Sequence, residues 1–385
     1  MFLKHQKKSE VNYYQAMLKT VGSLSRLFSE SNEPYIQYRM AENLFCKAFE
    51  ANNLSRTDCS ADASKNKLGI GLKTFLEKNG STMQKIAEFN SEHKAFRSLG
   101  ARDKIIKVSQ LRNERIEATQ RIFSLDQIIY HCITRKKSGI LVYEEPMAKV
   151  QIKKIKSITE TSNIISFADG INEYSFNITK STLYKRFVTK RVLLNLSVDI
   201  LENPFDALEK LFKKVEKNIL FSPLRPQEHI FLPLYSKKGG EKIVPEKSGL
   251  NQWNAAGRLR DPNEVYIQIP AWVHKKYPKF FPPRDVSFTL LLPNSSEMSA
   301  KVCQDNSKAL MSNPNSELGH WLLRDVLALG ERELLTYDKL NRIGLDSVVV
   351  YKVGSKKYDI DFTKIGSYEN FAGENAEVAE EDSED

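Results

Sequence analysis

No stretch of the 385-residue chain approaches the eighteen or more consecutive apolar residues that a membrane-spanning helix needs, which excludes that class. The opening MFLKHQKKSEVNYY turns polar and charged after three residues. It offers no apolar core and no small-residue cleavage site of a secretory signal, so the expected compartment is the cytoplasm. Cysteine is scarce: Cys46, Cys59, Cys132 and Cys303 are scattered, and none pairs as C-x-x-C. That excludes a disulfide framework and a zinc knuckle, leaving reduced thiols.

What is present is enough apolar material, 41% with 10% aromatics, for two or three packed domains at this length. Basic charge is in excess. The net charge of +10 includes seven acids and no base from Glu374 to Asp385, so the first 373 residues carry +17. A body so charged attracts a polyanion, nucleic acid first among them, although a lysine-rich surface also serves solubility alone. The acidic tail, 369–385, reads as disordered.

Apolar residues at three- and four-residue steps, Val11, Tyr14, Met17, Leu18, Val21, Leu24 and Phe28, predict a helix over 9–29. A second helix is predicted from Tyr35 to Asn52. Leu68 to Phe75 is a compact apolar run before a Lys-Asn-Gly break and reads as a strand and turn. Helices are predicted over Ser81 to Glu92 and Ala101 to Ile122. From Gln127 the period changes to that of strands, with Asp169-Gly170 as a hairpin turn. A helix over Asn203 to Lys217 leads into FSPLRPQEH, whose prolines mark a linker at Ser222 to Gln227. The expected division is 1–222, 223–368 and the tail.

In the C-terminal half, SGLNQWNAAGRLRDPNEVYIQIP, FFPPRDVSFTLLLP and KVCQDNSKALMSNPN place two polar segments beside apolar strands. Asn251, Gln252, Trp253, Asn254, Arg258 and Arg260 lie in the first, and Gln304, Asn306, Lys308 and Asn313 in the second. Arginine and carboxamide groups make bidentate contacts to base edges in a major groove, and the same residues also make ordinary surface turns. The three segments together resemble the C-terminal specificity domain of the NgoFVII family of type II restriction endonucleases, over roughly Phe231 to Phe362. The resemblance implies a mainly β DNA-binding pseudobarrel, as in plant transcription factors and the EcoRII effector domain. It implies two arms gripping the major groove, here 248–260 and 304–313, with Pro262, Asn263, Glu264 and Tyr266 holding the base of the first.

Such a reader directs attention to nuclease chemistry in the N-terminal half. The H-x-K and downstream Asp of a phospholipase D-type site are absent, since position 12 after His5-Gln6-Lys7 is Asn, and H-E-x-x-H and HNH clusters are absent too. Carboxylate and lysine chemistry remains. Phosphodiester hydrolysis uses carboxylates to hold magnesium and a lysine to orient water and stabilise charge. Asp62, with Asp58 as the alternative, precedes Gly69-Ile70-Gly71-Leu72-Lys73, and this resembles a PD-(D/E)XK nuclease core in which Asp62 and Lys73 are the motif's Asp and Lys. The pattern departs at Gly71, where an acid is expected. The resemblance makes Glu88, on the following predicted helix and supported by Gln84, the candidate migrated acid. Glu50 on the second helix is the candidate for completing the metal shell; for both acids an exposed helix charge is the alternative. Arg112, Arg115, Lys180, Lys185 and Arg186 are candidate phosphate contacts or solvated charges.

These readings make the chain an α/β (α+β) PD-(D/E)XK-like nuclease domain followed by a pseudobarrel. The expected function is a magnesium-dependent type II restriction endonuclease acting on double-stranded DNA as a homodimer. The family resemblance implies a partner methyltransferase, with no direct contact implied. The alternative, for which Gly71 is the best argument, is a non-catalytic sequence-specific DNA-binding regulator.

Overall fold

The computed structural model describes residues 1–54, 59–90, 96, 98–215 and 228–373. Asp58, the linker 222–227 and the tail residues 374–385 lie outside the described residues. No helix among those described is long and apolar enough to cross a membrane. The chain divides into two compact units: residues 1–55, 59–116 and 125–224 form one, and 56–58, 117–124 and 225–385 the other.

In the first unit, helices α1 (Lys8–Ser23) and α2 (Tyr38–Phe49) precede β1 (Asn52–Asn53), β2 (Ala63–Lys65), β3 (Leu68–Leu76) and β4 (Ser81–Glu88). Helix α3 (Ala101–Ile122) leads to β5 (Gln127–Lys136) and β6 (Gly139–Pro146). Strands β7 (Lys156–Glu160), β8 (Ile164–Ala168), β9 (Glu173–Asn177), β10 (Thr182–Val188) and β11 (Leu194–Ser197) follow, then α4 (Pro204–Val215). They make a mixed six-stranded sheet in the order β1-β2-β3-β5-β6-β11 and an antiparallel five-stranded sheet, β4-β10-β9-β8-β7. Strands β3 and β5 run parallel, as the intervening helix α3 allows.

The first stripe packs as its period requires: Tyr14 and Leu18 of α1 meet Phe45 and Phe49 of α2 and the Ile70, Ile133 and Val142 face of the six-stranded sheet. Phe28, assigned to that stripe, falls beyond the helix and is 70% exposed. The second core sets Ile105, Val108 and Leu111 of α3 with Ile165, Phe167, Phe176 and Leu183 of the five-stranded sheet. The Asp169-Gly170 hairpin forms between β8 and β9. Asp169 Oδ1 accepts the Ile171 and Asn172 amides, and Gly170 takes a φ of +84°.

The segment 81–88 corrects the predicted helix. Its Gln, Lys, Ala and Glu favour a helix locally, but β10 pairs along it from Thr182↔Glu88 to Val188↔Ser81, and the sheet hydrogen bonds prevail.

The second unit contains β12 (His229–Pro233), β13 (Ser236–Lys238), β14 (Glu241–Ile243) and β15 (Ile267–Gln268), then α5 (Ala271–Lys276). Strands β16 (Phe288–Leu291), β17 (Glu297–Cys303) and β18 (Ala309–Ser312) precede a helical segment over Glu317–Gly319 and His320–Val326. Helix α6 (Tyr337–Ile343), β19 (Leu345–Gly354), β20 (Lys357–Lys364) and α7 (Ser367–Gly373) complete it. A seven-stranded sheet, β12-β19-β20-β16-β17-β18-β15, curls until its end strands approach, so that the barrel is nearly closed. Only β16 and β20 pair parallel within it. Residues 369–373, assigned to a disordered tail, belong to α7. Phe371 is buried against Tyr277 and Trp272, and Glu369 pairs with Lys242.

Candidate active site and nucleic-acid interface

Asp62 stands at the entry to the β2–β3 hairpin. Its amide donates to Ile70 O at 2.8 Å, and its Oδ2 accepts the Leu72 amide at 2.7 Å. Lys73 follows on β3, where Lys73, Cys132 and Tyr143 form one row across β3, β5 and β6. The two charges act on each other. Burial pushes the Asp62 carboxyl up to about 6, Lys73 opposes that rise, and the negative charge of Glu42 adds to it. Burial lowers Lys73, against the pull of Asp62 and with the push of Arg112. The Cys46 thiol, one helical turn beyond Glu42, is pushed up to about 11 by burial, with Glu42 and Asp62 both contributing.

Glu42 was missed in the sequence. It is the single acid within α2 and sits on the apolar face, at i, i+3 and i+7 with Phe45 and Phe49, and it is 5% exposed. An acid on an apolar stripe is the signal that finds it. Arg39 pairs with it at 3.0 Å. Glu50, assigned to the metal shell, instead caps α2 with φ 50° and faces solvent. Glu88 lies on β4, not on a helix, bonded to Lys85 and Asn90. Gln84, on the same strand, donates to Thr82 at 3.1 Å. Among the described residues no three His, Cys, Asp or Glu stand close enough to hold an ion, so Asp62, Glu88 and Glu50 do not form a ligand set. Two carboxylates, Asp62 and Glu42, do share a locality. Magnesium binds through one or two carboxylates with water and substrate phosphate filling its other positions, so this pair fits its minimal requirement.

Gly71, where the motif has an acid, packs under the tip of the Met147 side chain. A Cβ there would lie 2.6 Å from Met147 Cε and 3.4 Å from Ser60 O and Tyr130 Cδ1. Only the flexible end of Met147 would have to shift to admit a side chain there.

Of the five phosphate candidates, two are structural. Arg112 is buried and donates to Ser60 Oγ and Tyr130 OH, both at 2.9 Å. Lys185 is buried on Glu145 and lies over the Phe187 ring. Arg115 is half-buried, donating to Glu88 O at 2.6 Å over the Phe89 ring. Lys180 is exposed, and Arg186 faces solvent in a pair with Glu173. A cleft of 610 Å³ lined by Glu144, Glu145, Lys185, Arg186 and Arg191 opens here, and neither Asp62 nor Lys73 lines it.

In the second unit the first arm runs through a 3-10 turn, Gly249–Asn254, into the exposed segment 256–259. Asn251 is corrected from reader to brace: fully buried, it donates to Pro245 O and Leu335 O and accepts the Leu335 amide. Trp253 is half-buried, with its indole N–H out of contact with water. Asn254 is exposed and donates to Glu246 O. Glu264, 5% exposed, receives Gln252 at 3.1 Å, pairs with Arg258 and lies 3.5 Å from Arg260. Gln304 donates to Gln252 at 3.3 Å, tying the two arms together. Asn306 and Lys308 are exposed in the turn between β17 and β18. Asn313 is not with them. It follows the other end of β18 and donates to Ser287 Oγ, so the second arm is the shorter segment 304–308.

Residues 226–354 match the NgoFVII C-terminal B3-like DNA-binding domain. No curated protein matches the chain. The two linked arms and every strand of the nearly closed barrel except β20 lie within the B3-like segment, which supports sequence-specific binding of double-stranded DNA. Its arm base depends on a residue that sequence reading passed over. Arg324 donates to Asn263 Oδ1 at 2.8 Å, to Pro262 O at 2.9 Å and to Gly330 O. Gly319 permits this approach, since a Cβ there would fall 2.0 Å from Asn263 O.

Proposed function

We propose that the chain is a type II restriction endonuclease whose B3-like domain selects a DNA site and whose first unit hydrolyses the backbone. The observation that carries the hydrolytic half is Asp62, a carboxylate with raised proton affinity beside Lys73 and Glu42, in a chain that also carries a restriction-family DNA reader. Asp62 and Glu42 would hold magnesium, which supplies charge neutralisation at the scissile phosphate when bound. Lys73, its proton affinity lowered by burial, would orient water or stabilise the charged phosphate. Cutting both strands calls for two centres, hence a two-fold dimer, and host DNA would be protected by a partner methyltransferase.

A second reading, a regulator that binds without cutting, is favoured by the glycine at position 71, where the motif has an acid, and by the two-acid limit of the site among the described residues. Purified protein incubated with a long plasmid, with and without magnesium, decides between them. Discrete magnesium-dependent bands support the endonuclease. A mobility shift without cuts, at any magnesium concentration, leaves only the regulator.

A further inference from the structure

The arginines of the first arm are drawn back toward the barrel. Arg258 pairs with buried Glu264, and Arg260 is 3.5 Å from the same carboxylate while donating to Ala255 O at 2.7 Å and Ala256 O at 3.2 Å. Between them Leu259 is 87% exposed, the highest value among the exposed large apolar side chains of the described residues. The turn that carries it outward is set by Gly257, at a φ of +106°. A single exposed leucine on an ordinary surface calls for no explanation. This one lies in the exposed stretch of an arm whose partner arm, joined to it through Gln304 and Gln252, presents exposed Asn306 and Lys308.

A surface bearing these groups toward DNA has one apolar feature to meet on a base edge, the C5-methyl group of a pyrimidine in the major groove. We propose that Leu259 is the apolar reader of the first arm and contacts that methyl group, supplied by thymine or by 5-methylcytosine. The inference rests on the DNA-reading assignment of the B3-like domain. It adds a specificity-determining residue that hydrogen-bonding patterns do not reveal.

The test uses the full chain. A preferred site is first selected from a random duplex library, and each thymine in it is then replaced by deoxyuridine, which keeps pairing and removes only the methyl. Every cytosine is separately replaced by 5-methylcytosine. Loss of one buried methyl should weaken binding about fourfold at one position, or a gained methyl should strengthen it comparably. Leu259→Ala should abolish that sensitivity while leaving other positions unchanged, and Leu259→Met should keep it. Because the side chain is so exposed, the alanine variant should melt as the wild type does. A selected site with no methyl-sensitive position, or one whose sensitivity survives in Leu259→Ala, overturns the proposal while the DNA-reading assignment stands. A selection that returns no preferred site overturns that assignment, and the proposal with it.

Discussion

The two units place their polar groups in opposite environments. In the first, Glu42, Lys185, His131 and Glu144 are buried, and Asp62 and Lys73 are largely shielded from water. In the second, Asn254, Arg258, Asn306 and Lys308 face solvent, with Glu264 and Asn251 the buried braces behind them. Burial changes proton affinity, which suits a group that must gain or lose charge or bind an ion. Exposure on a rigid base presents donors and acceptors to a partner whose edges are themselves polar, even where, as for Arg258 on Glu264, they already hold an internal partner. On the proposed reading the contrast separates reactivity from recognition, and four predictions probe it.

The largest expected effect lies in the first unit. Lys73→Ala should reduce plasmid cleavage by about a thousandfold or more while specific binding in a mobility-shift assay stays near wild type. Wild-type cleavage by that variant would remove this cluster from the chemistry.

Next comes pH. Asp62 has a folded value of about 6 against an ordinary 3.8, so the folded state holds the proton more tightly. Stability from this group is therefore full at low pH and falls as pH rises through that window, by about 3 kcal/mol in all. Asp62→Asn should accordingly melt higher than wild type at pH 8, with the gap closing below about pH 4. Added magnesium should narrow the gap by stabilising wild type alone. Cleavage by wild type should decline about tenfold per unit as pH drops below that of Asp62. An Asn variant that melts lower at pH 8 would contradict the burial cost.

A smaller effect belongs to the arms. Arg258→Ala or Arg260→Ala should cost about 1–3 kcal/mol of binding and relax discrimination at one base pair. Glu264→Ala should relax both positions together, because Arg258, Arg260 and Gln252 share that carboxylate. Uniform losses across a panel of single-base variants would show that the arm only positions the protein.

The smallest effect is expected at Arg186. It should weaken all sequences alike on truncation and lower the slope of log affinity against log salt by about one contact. An unchanged slope would assign it wholly to its surface pair with Glu173.

The sequence by itself determined those features whose causes are local in the chain. Apolar periodicity defined α1, because a stripe must bury itself whatever it meets, and the helix at 101–122 was also legible. Asp169-Gly170 announced its hairpin, because few residues tolerate the required backbone angles. The two polar segments of the B3-like domain were legible as residue types in order. Tertiary structure decided the rest. It made 81–88 a strand through pairing with a segment about a hundred residues away, and it buried Glu42, not Glu50, where its charge acts on Asp62. It also buried Asn251 and Arg112, withdrew Arg258 and Arg260 onto Glu264, and left Leu259 at the outside. Burial and partnership are properties of which distant residues arrive at a side chain, and a linear sequence records the side chain without its arrivals.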